Sequence, residues 1–161
     1  MQLYTIQSRR FLKQPGTVLQ TDIKYTTHWG NNFKIPYAFM RSEYQKRTQI
    51  KLSPQQALIW AWDQPVADRQ HWLDIKRKPL VYIKFQAPDD LCLLSDFQAF
   101  HVLLNDLTFT PQPRNKYQDW QKLFDDPWLE KHDWRNAQDE HQVVLPYLKR
   151  SWIQKVKYFR T

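Results

Sequence analysis

Glycine and cysteine are scarce in this chain of 161 residues, and their scarcity limits its chemistry. The only glycines are Gly16 and Gly30, so the chain can build neither a P-loop nor the GxGxxG turn of dinucleotide-binding folds. Cys92 is the single cysteine, which excludes an internal disulfide and a zinc site made of several cysteines. The five histidines form no HExxH motif and no short repeated spacing, and we therefore expect no metal site.

Long apolar runs are also absent. No run approaches the roughly 18 residues of a membrane-spanning helix, and the first residues lack the basic-then-apolar layout of a signal peptide. These absences predict a cytoplasmic protein without a membrane partner. The length suits a single domain, residues 1–161, and with 42% hydrophobic residues and eight tryptophans the chain should fold around a core.

Charge is unevenly distributed along the chain, whose formal net charge is +8. Residues 1–62 carry nine Lys or Arg against two Asp or Glu, and residues 141–161 carry five against none. Residues 63–140 carry ten against fourteen, so the middle of the chain is acidic. If the two ends meet, they form a basic face suited to phosphates, which favours nucleic acid or a nucleotide as partner. The alternative is that the charge only keeps the protein soluble.

The clearest local pattern lies in residues 79–106. Residues 80–85 are rich in β-branched and aromatic side chains, which predicts a strand whose alternate residues lie on opposite faces. Turn chemistry at Pro88 separates this strand from a second apolar run at residues 91–94, which predicts another short strand. Ser95 and Gln98 then fit a capping box for a helix. The predicted helix carries an apolar stripe at i, i+3, i+4 and i+7, made of Phe97, Phe100, His101 and Leu104.

The remaining pattern predicts an α+β domain with a mixed or antiparallel sheet flanked by short helices. Further strands are expected near residues 3–7, 18–19, 57–62, 142–145 and 153–159. Helices are expected near residues 9–14, 36–47, 117–124 and 127–132. We also expect the first and last strands to lie side by side, with both basic ends at the mouth of a hollow lined by tryptophan.

Four motifs, in order along the chain, resemble a known family. They are Leu3-Tyr4-Thr5-Ile6-Gln7, Ile59-Trp60-Ala61-Trp62, Leu94-Ser95-Asp96-Phe97 with Phe100-His101 and Leu104-Asn105, and Asp119-Trp120 with Leu123-Phe124. They are similar to an uncharacterised bacterial and phage family, domain of unknown function 3841, over nearly the whole chain. Phe100 stands where that family usually has tryptophan, Asp119 replaces serine, and its basic R-P-D-L-R segment is reduced to Arg77-Lys78-Pro79-Leu80. The family has no established activity to carry over.

A second resemblance is to the ADP-ribosyltransferase-like fold. Residues 4–7, a following helix, Gly16 and the strand at 18–19 are similar in layout to its N-terminal region, although Thr5 stands where histidine is usual. Residues 140–145 are similar to its A-E-[VL]-x-V motif, with Gln142 in the place of the catalytic glutamate and Glu140 on the same strand face. The resemblance implies NAD as cofactor and transfer to nucleic acid or protein, in a toxin or phage–host conflict. A glutamine lacks the negative charge that stabilises the cationic centre of this reaction, which implies weak, altered or absent activity.

The candidate residues follow from these patterns. The catalytic candidates are Gln142, Glu140 and His101. The cofactor-binding candidates are Tyr4, Thr5, Gln7, Trp60, Trp62, Ser95 and Asp96. The two tryptophans could stack a base or nicotinamide, and the alternative for each is core packing. For His101 the alternative is a buried histidine with satisfied hydrogen bonds, for Ser95 and Asp96 helix capping, and for Gln142 a bond to the backbone.

Cations near the two ends are the candidates for a phosphate-contacting surface. They are Lys34, Arg41, Arg47, Lys149, Arg150, Lys155 and Lys157. Each of them alone could equally be an ordinary solvated side chain. Two hypotheses follow for the whole protein: an NAD-using transferase, or a non-catalytic basic module that binds nucleic acid or a protein partner.

Overall fold

A computed structural model describes residues 1–26, 33–65 and 79–159 of the chain. These residues form a six-stranded antiparallel sheet in the order β10-β6-β1-β5-β8-β7. Its strands are β1 (Gln2–Ser8), β5 (Ile59–Trp62), β6 (Leu80–Gln86), β7 (Leu93–Asp96), β8 (His141–Leu145) and β10 (Ile153–Tyr158). Two small pairs join β2 (Val18–Leu19) to β9 (Leu148–Lys149) and β3 (Thr21–Asp22) to β4 (Gln56–Ala57).

The helices are short apart from one. They are α1 (Arg9–Leu12), α2 (Ile23–Thr26), α3 (Lys34–Thr48), α4 (Phe100–Leu104), α5 (Lys116–Trp120) and α6 (Asp126–Lys131). The predicted α+β fold, with a sheet flanked by short helices, is confirmed. No helix among the described residues is long and apolar enough to cross a bilayer.

Alternation along the strands gives the sheet two differently covered faces. On β6, Val81, Ile83 and Phe85 are fully buried on one face, while Tyr82 and Lys84 point to the other. The face that holds Tyr82, Trp60 and Trp62 will be called the helical face, because α3 and α4 cover its β5–β8–β7 half. The opposite face packs against α1 and the β2–β9 pair.

The larger core lies between the helical face and α3. Met40 and Tyr44 of α3 are fully buried there, together with Leu103 and Trp120. Met40 and Tyr44 are four residues apart and therefore lie on one side of α3. Rings fix the packing: the Trp60 ring lies 5.1 Å from the rings of both Tyr37 and Phe100. Tilted aromatic contacts of this kind add to the stabilisation that area burial provides.

The two ends of the chain come together, although not in the predicted way. β1 and β10 were expected side by side, but β6 lies between them and pairs with both. The ends are tied through Arg150, whose guanidinium donates to the carbonyls of Leu12, Gln14 and Gly16 in the turn after α1. Arg9 of α1 donates to the carbonyl of Phe159 at 2.6 Å. α1 therefore lies alongside β10.

The predicted capping box is wrong. Ser95 lies within β7, paired with Gln142 of β8, and helix α4 begins only at Phe100. The N-cap position of α4 is Ala99, which has no capping side chain. The carboxylate of Asp96 accepts the backbone N–H of Ala99 at 2.6 Å and so fixes the turn that precedes the helix. The strand predicted at residues 91–94 is correspondingly shifted, because a short 3-10 turn occupies Asp89–Leu91.

Candidate functional site

One transverse row on the helical face collects several of the sequence candidates. Consecutive Cα partners run across all six strands: Lys155, Lys84, Tyr4, Trp62, Gln142 and Ser95. Since paired residues on antiparallel strands point to the same face, these side chains form neighbours about 5 Å apart at the backbone. Strand pairing thus brings residues from six strands into one line. Trp60 lies on the same face of β5, two residues before Trp62.

The β8–β7 end of this row holds a buried amide and a hydroxyl, from Gln142 and Ser95. The side chain of Gln142 is 3% exposed and donates from Nε2 to Oγ of Ser95 at 3.0 Å. The alternative role predicted for Gln142 was a bond to the backbone, but its partner here is a side chain. No carboxylate belongs to the row, so these residues can hold a neutral hydroxyl or amide but supply no negative charge.

Glu140 lies just before β8 and is half-buried. Its pKa is raised by burial and by the nearby carboxylates of Asp63, Asp139 and Asp96. A carboxyl group with a raised pKa can hold a proton closer to neutral pH. It lies two residues before Gln142, and its backbone carbonyl accepts the N–H of Phe97 at 3.3 Å.

His101 does not lie on a buried stripe, so that prediction is wrong. The stripe of α4 that faces the core is made of Phe100, Val102 and Leu103, while the side chain of His101 is exposed. Its Nδ1 lies 3.1 Å from the carbonyl oxygen of Phe97. Val102 and Leu103 face the core in place of His101, so the buried side of α4 is rotated relative to the predicted stripe.

Three cofactor-binding candidates lie on the face opposite Tyr4. The hydroxyl of Thr5 donates to the carbonyl of Trp60 at 2.7 Å, and Gln7 donates to that hydroxyl at 2.9 Å. Asp96 is fully buried and bonds Nη1 of Arg135 at 2.8 Å. The structure therefore brings together Tyr4, Trp60, Trp62, Ser95 and Gln142, and separates them from Thr5, Gln7 and Asp96.

The three arginines predicted to contact phosphate have structural contacts. Arg41 donates to the carbonyls of Ser53 and Gln56 at 2.7 and 3.0 Å. Arg47 pairs with Glu43 at 2.9 Å and lies over the Phe124 ring. Arg150 fastens the turn after α1, as described above.

The lysines have fewer contacts. Lys34, Lys149, Lys155 and Lys157 are exposed, and Lys149 lies 5.7 Å from the Trp152 ring centroid. Sequence reasoning missed Lys84, which is brought beside Lys155 by the pairing of β6 with β10. The signal that could have found it is the sequence of β6, in which Lys84 is the one charged residue among apolar neighbours.

Comparison of the chain with family models, with curated proteins and with solved structures gave no match. The resemblances noted in the sequence therefore stay predictions, and Arg77 and Lys78, which carry part of one of them, lie outside the described residues.

A cluster of charges at the β7–β8 edge was also missed. The His141 ring lies between two carboxylates, with Nδ1 2.9 Å from Asp63 and Nε2 2.7 Å from Asp126. Burial would lower the pKa of His141, but the bonds from Asp126 and Asp63 outweigh burial and raise it. No spacing in the sequence links these residues, which are 78 and 15 positions from His141.

Thiol and metal chemistry find little support in the described residues. Burial raises the pKa of Cys92 to about 11, so the thiolate is scarce at neutral pH. Within the described ranges, no group of three or more His, Cys, Asp or Glu side chains could hold a metal ion.

Proposed function

We propose that this protein is a basic module that binds nucleic acid along the sheet edge formed by β10. The binding surface comprises cations from both ends of the chain and from β6, and will be called the basic edge. Lys84, Lys155 and Lys157 lie on the helical face at this edge, and Arg10, Lys13 and Lys149 lie on α1 and β9, which pack against the opposite face. Contacts from Arg9 and Arg150 hold α1 beside β10, and so keep the two sets of cations together.

The observation that carries this proposal is the pairing of Lys84 with Lys155. They are directly opposed across neighbouring strands and point to the same face. Like charges in this position destabilise a sheet. No carboxylate among the described residues forms an ion pair with either lysine. A phosphate oxygen placed between them would relieve the repulsion, which favours an anionic partner.

Charge on the rest of the molecule supports the same orientation. Asp63, Asp96, Asp126 and Glu130 gather at the opposite edge of the sheet, around Arg135 and His141. A polyanion is therefore attracted by one edge and repelled by the other, which orients it before contact.

Lysines on an edge strand have another explanation. They also prevent a strand from pairing with another protein molecule. That role would account for Lys155 and Lys157 on β10, but it does not account for Lys84, which lies on the interior strand β6.

Fluorescence anisotropy with a labelled single-stranded oligonucleotide tests the proposal. Replacing Lys84 and Lys155 together by glutamine should weaken binding at least tenfold at low salt, because two phosphate contacts are lost. Lys131→Gln is the matched control, since this exposed lysine ends α6 near the acidic edge. Equal loss in the double variant and the control would reject the basic edge as the binding surface.

NAD-dependent transfer is the second candidate, favoured by the alignment of Tyr4, Trp62 and Gln142 in one row. The amide of Gln142 could position a ribose hydroxyl, and Trp62 could stack on a planar ring. Glu140 would have to supply the negative charge that the reaction requires. NAD would transfer its ADP-ribosyl group to the acceptor, and nicotinamide would be released as the leaving group.

Release of nicotinamide from NAD, with RNA, DNA or protein as acceptor, tests this candidate. The expected result is slow release that the Glu140→Gln variant abolishes, while Glu130→Gln does not affect it. No release from the unaltered protein, together with no change in its melting temperature on adding NAD, rules transfer out.

A further inference from the structure

A cavity of about 340 Å³ lies between α3 and the β4–β5 segment. One face of α3 lines it, at spacings of three and four residues. The α3 residues are Lys34, Tyr37, Ala38, Arg41, Ser42 and Gln45. This face is distinct from the buried stripe of α3, which contains Phe39, Met40 and Tyr44. The helix thus packs on the core with one side and borders open space with another.

An aromatic wall lines the cavity, formed by Trp60 of β5 and Tyr37 of α3. Trp60 borders the cavity, with its ring tilted against that of Tyr37 at a centroid distance of 5.1 Å. Leu58 and Ala57 extend the apolar lining. Because the two rings touch each other, a planar ligand would stack on this wall and would not slide between the rings.

Two donors on this wall have no partner. Among the described residues, nothing accepts a hydrogen bond from the indole N–H of Trp60 or bonds the hydroxyl of Tyr37. Burial raises the pKa of Tyr37, so its hydroxyl keeps its proton. Neither atom is fully buried, because Nε of Arg9 is the only buried side-chain nitrogen or oxygen without a partner among the described residues. Both groups therefore face the cavity and are open to a ligand with acceptor atoms on a flat ring.

Positive charge lies at the same cavity without a neutralising acid. Arg41 is held by the carbonyls of Ser53 and Gln56, which fix the guanidinium but leave its charge uncompensated. Lys34, two turns earlier on the same face of α3, is exposed. Neither cation forms an ion pair with a described carboxylate. A preorganised cation beside an aromatic wall suits an anionic group attached to a flat ring.

We propose that this cavity binds a mononucleotide, with the base stacked on the Tyr37–Trp60 wall and the phosphate held by Arg41 and Lys34. The volume is near the lower end of the range for small-molecule sites, about 300–1,000 Å³, and suits one nucleotide better than a dinucleotide. The site does not depend on the basic edge, so either can exist without the other.

Isothermal titration with AMP, UMP, adenosine and inorganic phosphate as separate probes tests the site. At least one monophosphate should bind with a dissociation constant below 1 mM, and removing its phosphate should weaken binding about tenfold, because the cation contacts are lost. Binding of inorganic phosphate as tight as that of the nucleotides would overturn the role of the wall. No binding of either nucleotide would overturn the proposal.

Two variants locate the binding. Ala38→Phe fills the cavity from an exposed position of α3, and Ser42→Glu adds a negative charge beside the phosphate position. Each variant should weaken the affinity for the monophosphate at least tenfold. Lys46 is exposed on α3 and does not line the cavity, so Lys46→Glu should change this affinity less than twofold. Unchanged affinity in Ala38→Phe with an unaltered melting temperature would place the ligand elsewhere. Oligonucleotide binding by the same variants separates this cavity from the basic edge.

Discussion

Asp96 and Arg135 form an ion pair that is almost completely removed from solvent. The exposed fractions of the two side chains are 0% and 3%, and the N···O distance is 2.8 Å. Burial alone would lower the pKa of Arg135, but Asp126, Asp96 and Glu130 raise it. Removing one member of such a pair leaves a buried charge, at a cost of about 3–5 kcal/mol. This fixed pair explains why Asp96 serves the fold and is not open to a cofactor.

The neighbouring His141 makes stability depend on pH. Its raised pKa means that the stabilisation by Asp63 and Asp126 is fully present below the unfolded-state value of about 6.5. This stabilisation is lost as the pH rises through the higher folded-state pKa. In urea unfolding, the difference in free energy between the unaltered protein and His141→Gln should be larger at pH 6 than at pH 9.

The exposed His101 supplies the control for this experiment. Its ring contacts backbone carbonyls and the Phe97 ring, with no carboxylate partner among the described residues. His101→Gln should therefore leave the pH profile of unfolding close to that of the unaltered protein. A destabilisation by His141→Gln that is the same at both pH values would contradict the two-carboxylate explanation.

At the scale of single elements, the end of α6 is strained. Asp133 has φ 61°, and the chain closes with bonds from its N–H to the Glu130 carbonyl and from the Trp134 N–H to the Leu129 carbonyl. This is a Schellman motif, in which glycine is preferred at the left-handed position. Aspartate there also places negative charge at the negative end of the helix.

Asp133→Gly should stabilise the protein by about 1 kcal/mol, because it removes both the Cβ from a left-handed backbone position and the negative charge from the C-terminal end of the helix. For a chain of this size the melting temperature should rise by about 2–4 °C. Asp133→Ala removes the charge but keeps the Cβ and loses the polar side chain that tolerates the left-handed region, so it should be less stable than the glycine variant. Scanning calorimetry of the two variants measures the difference. A glycine variant less stable than the alanine variant would show that strain is absent.

The elements show where sequence patterns suffice. The strand at β6 and the helix at α3 were predicted within two or three residues, because alternation and helical spacing are local signals. The start of the helix predicted at Ser95 was wrong. Ser95 is held in β7 by its bond with Gln142, and Asp96 is held there by Arg135, which is 39 residues further along the chain. Local patterns carry no information about such distant partners.

The same limit applies to the candidate site. Trp60 and Trp62 share a face of β5, because side chains two residues apart on a strand point the same way. The pairing of Lys84 with Lys155 could not be predicted, because strand order determines it and sequence periodicity does not. The uncompensated charge of Arg41 likewise depends on the loop at residues 53–56 that folds against it.

At the scale of the whole molecule, charge separates across the sheet. The basic edge surrounds β10, while carboxylates gather beside β7 and the start of β8. The lysines of the basic edge and the carboxylates at the other edge, among the described residues, therefore produce a directed field. A non-specific electrostatic attraction of this kind depends on the release of counterions from the nucleic acid.

The salt dependence of oligonucleotide affinity tests this account most directly. Anisotropy titrations between about 50 and 200 mM salt give the slope of log Kobs against log salt concentration. The account predicts a linear fall whose slope is smaller by about 1.4 in the Lys84→Gln/Lys155→Gln double variant, or about 0.7 for each lost contact with a single strand. An affinity that does not change with salt, or the same slope with and without the two lysines, would contradict it.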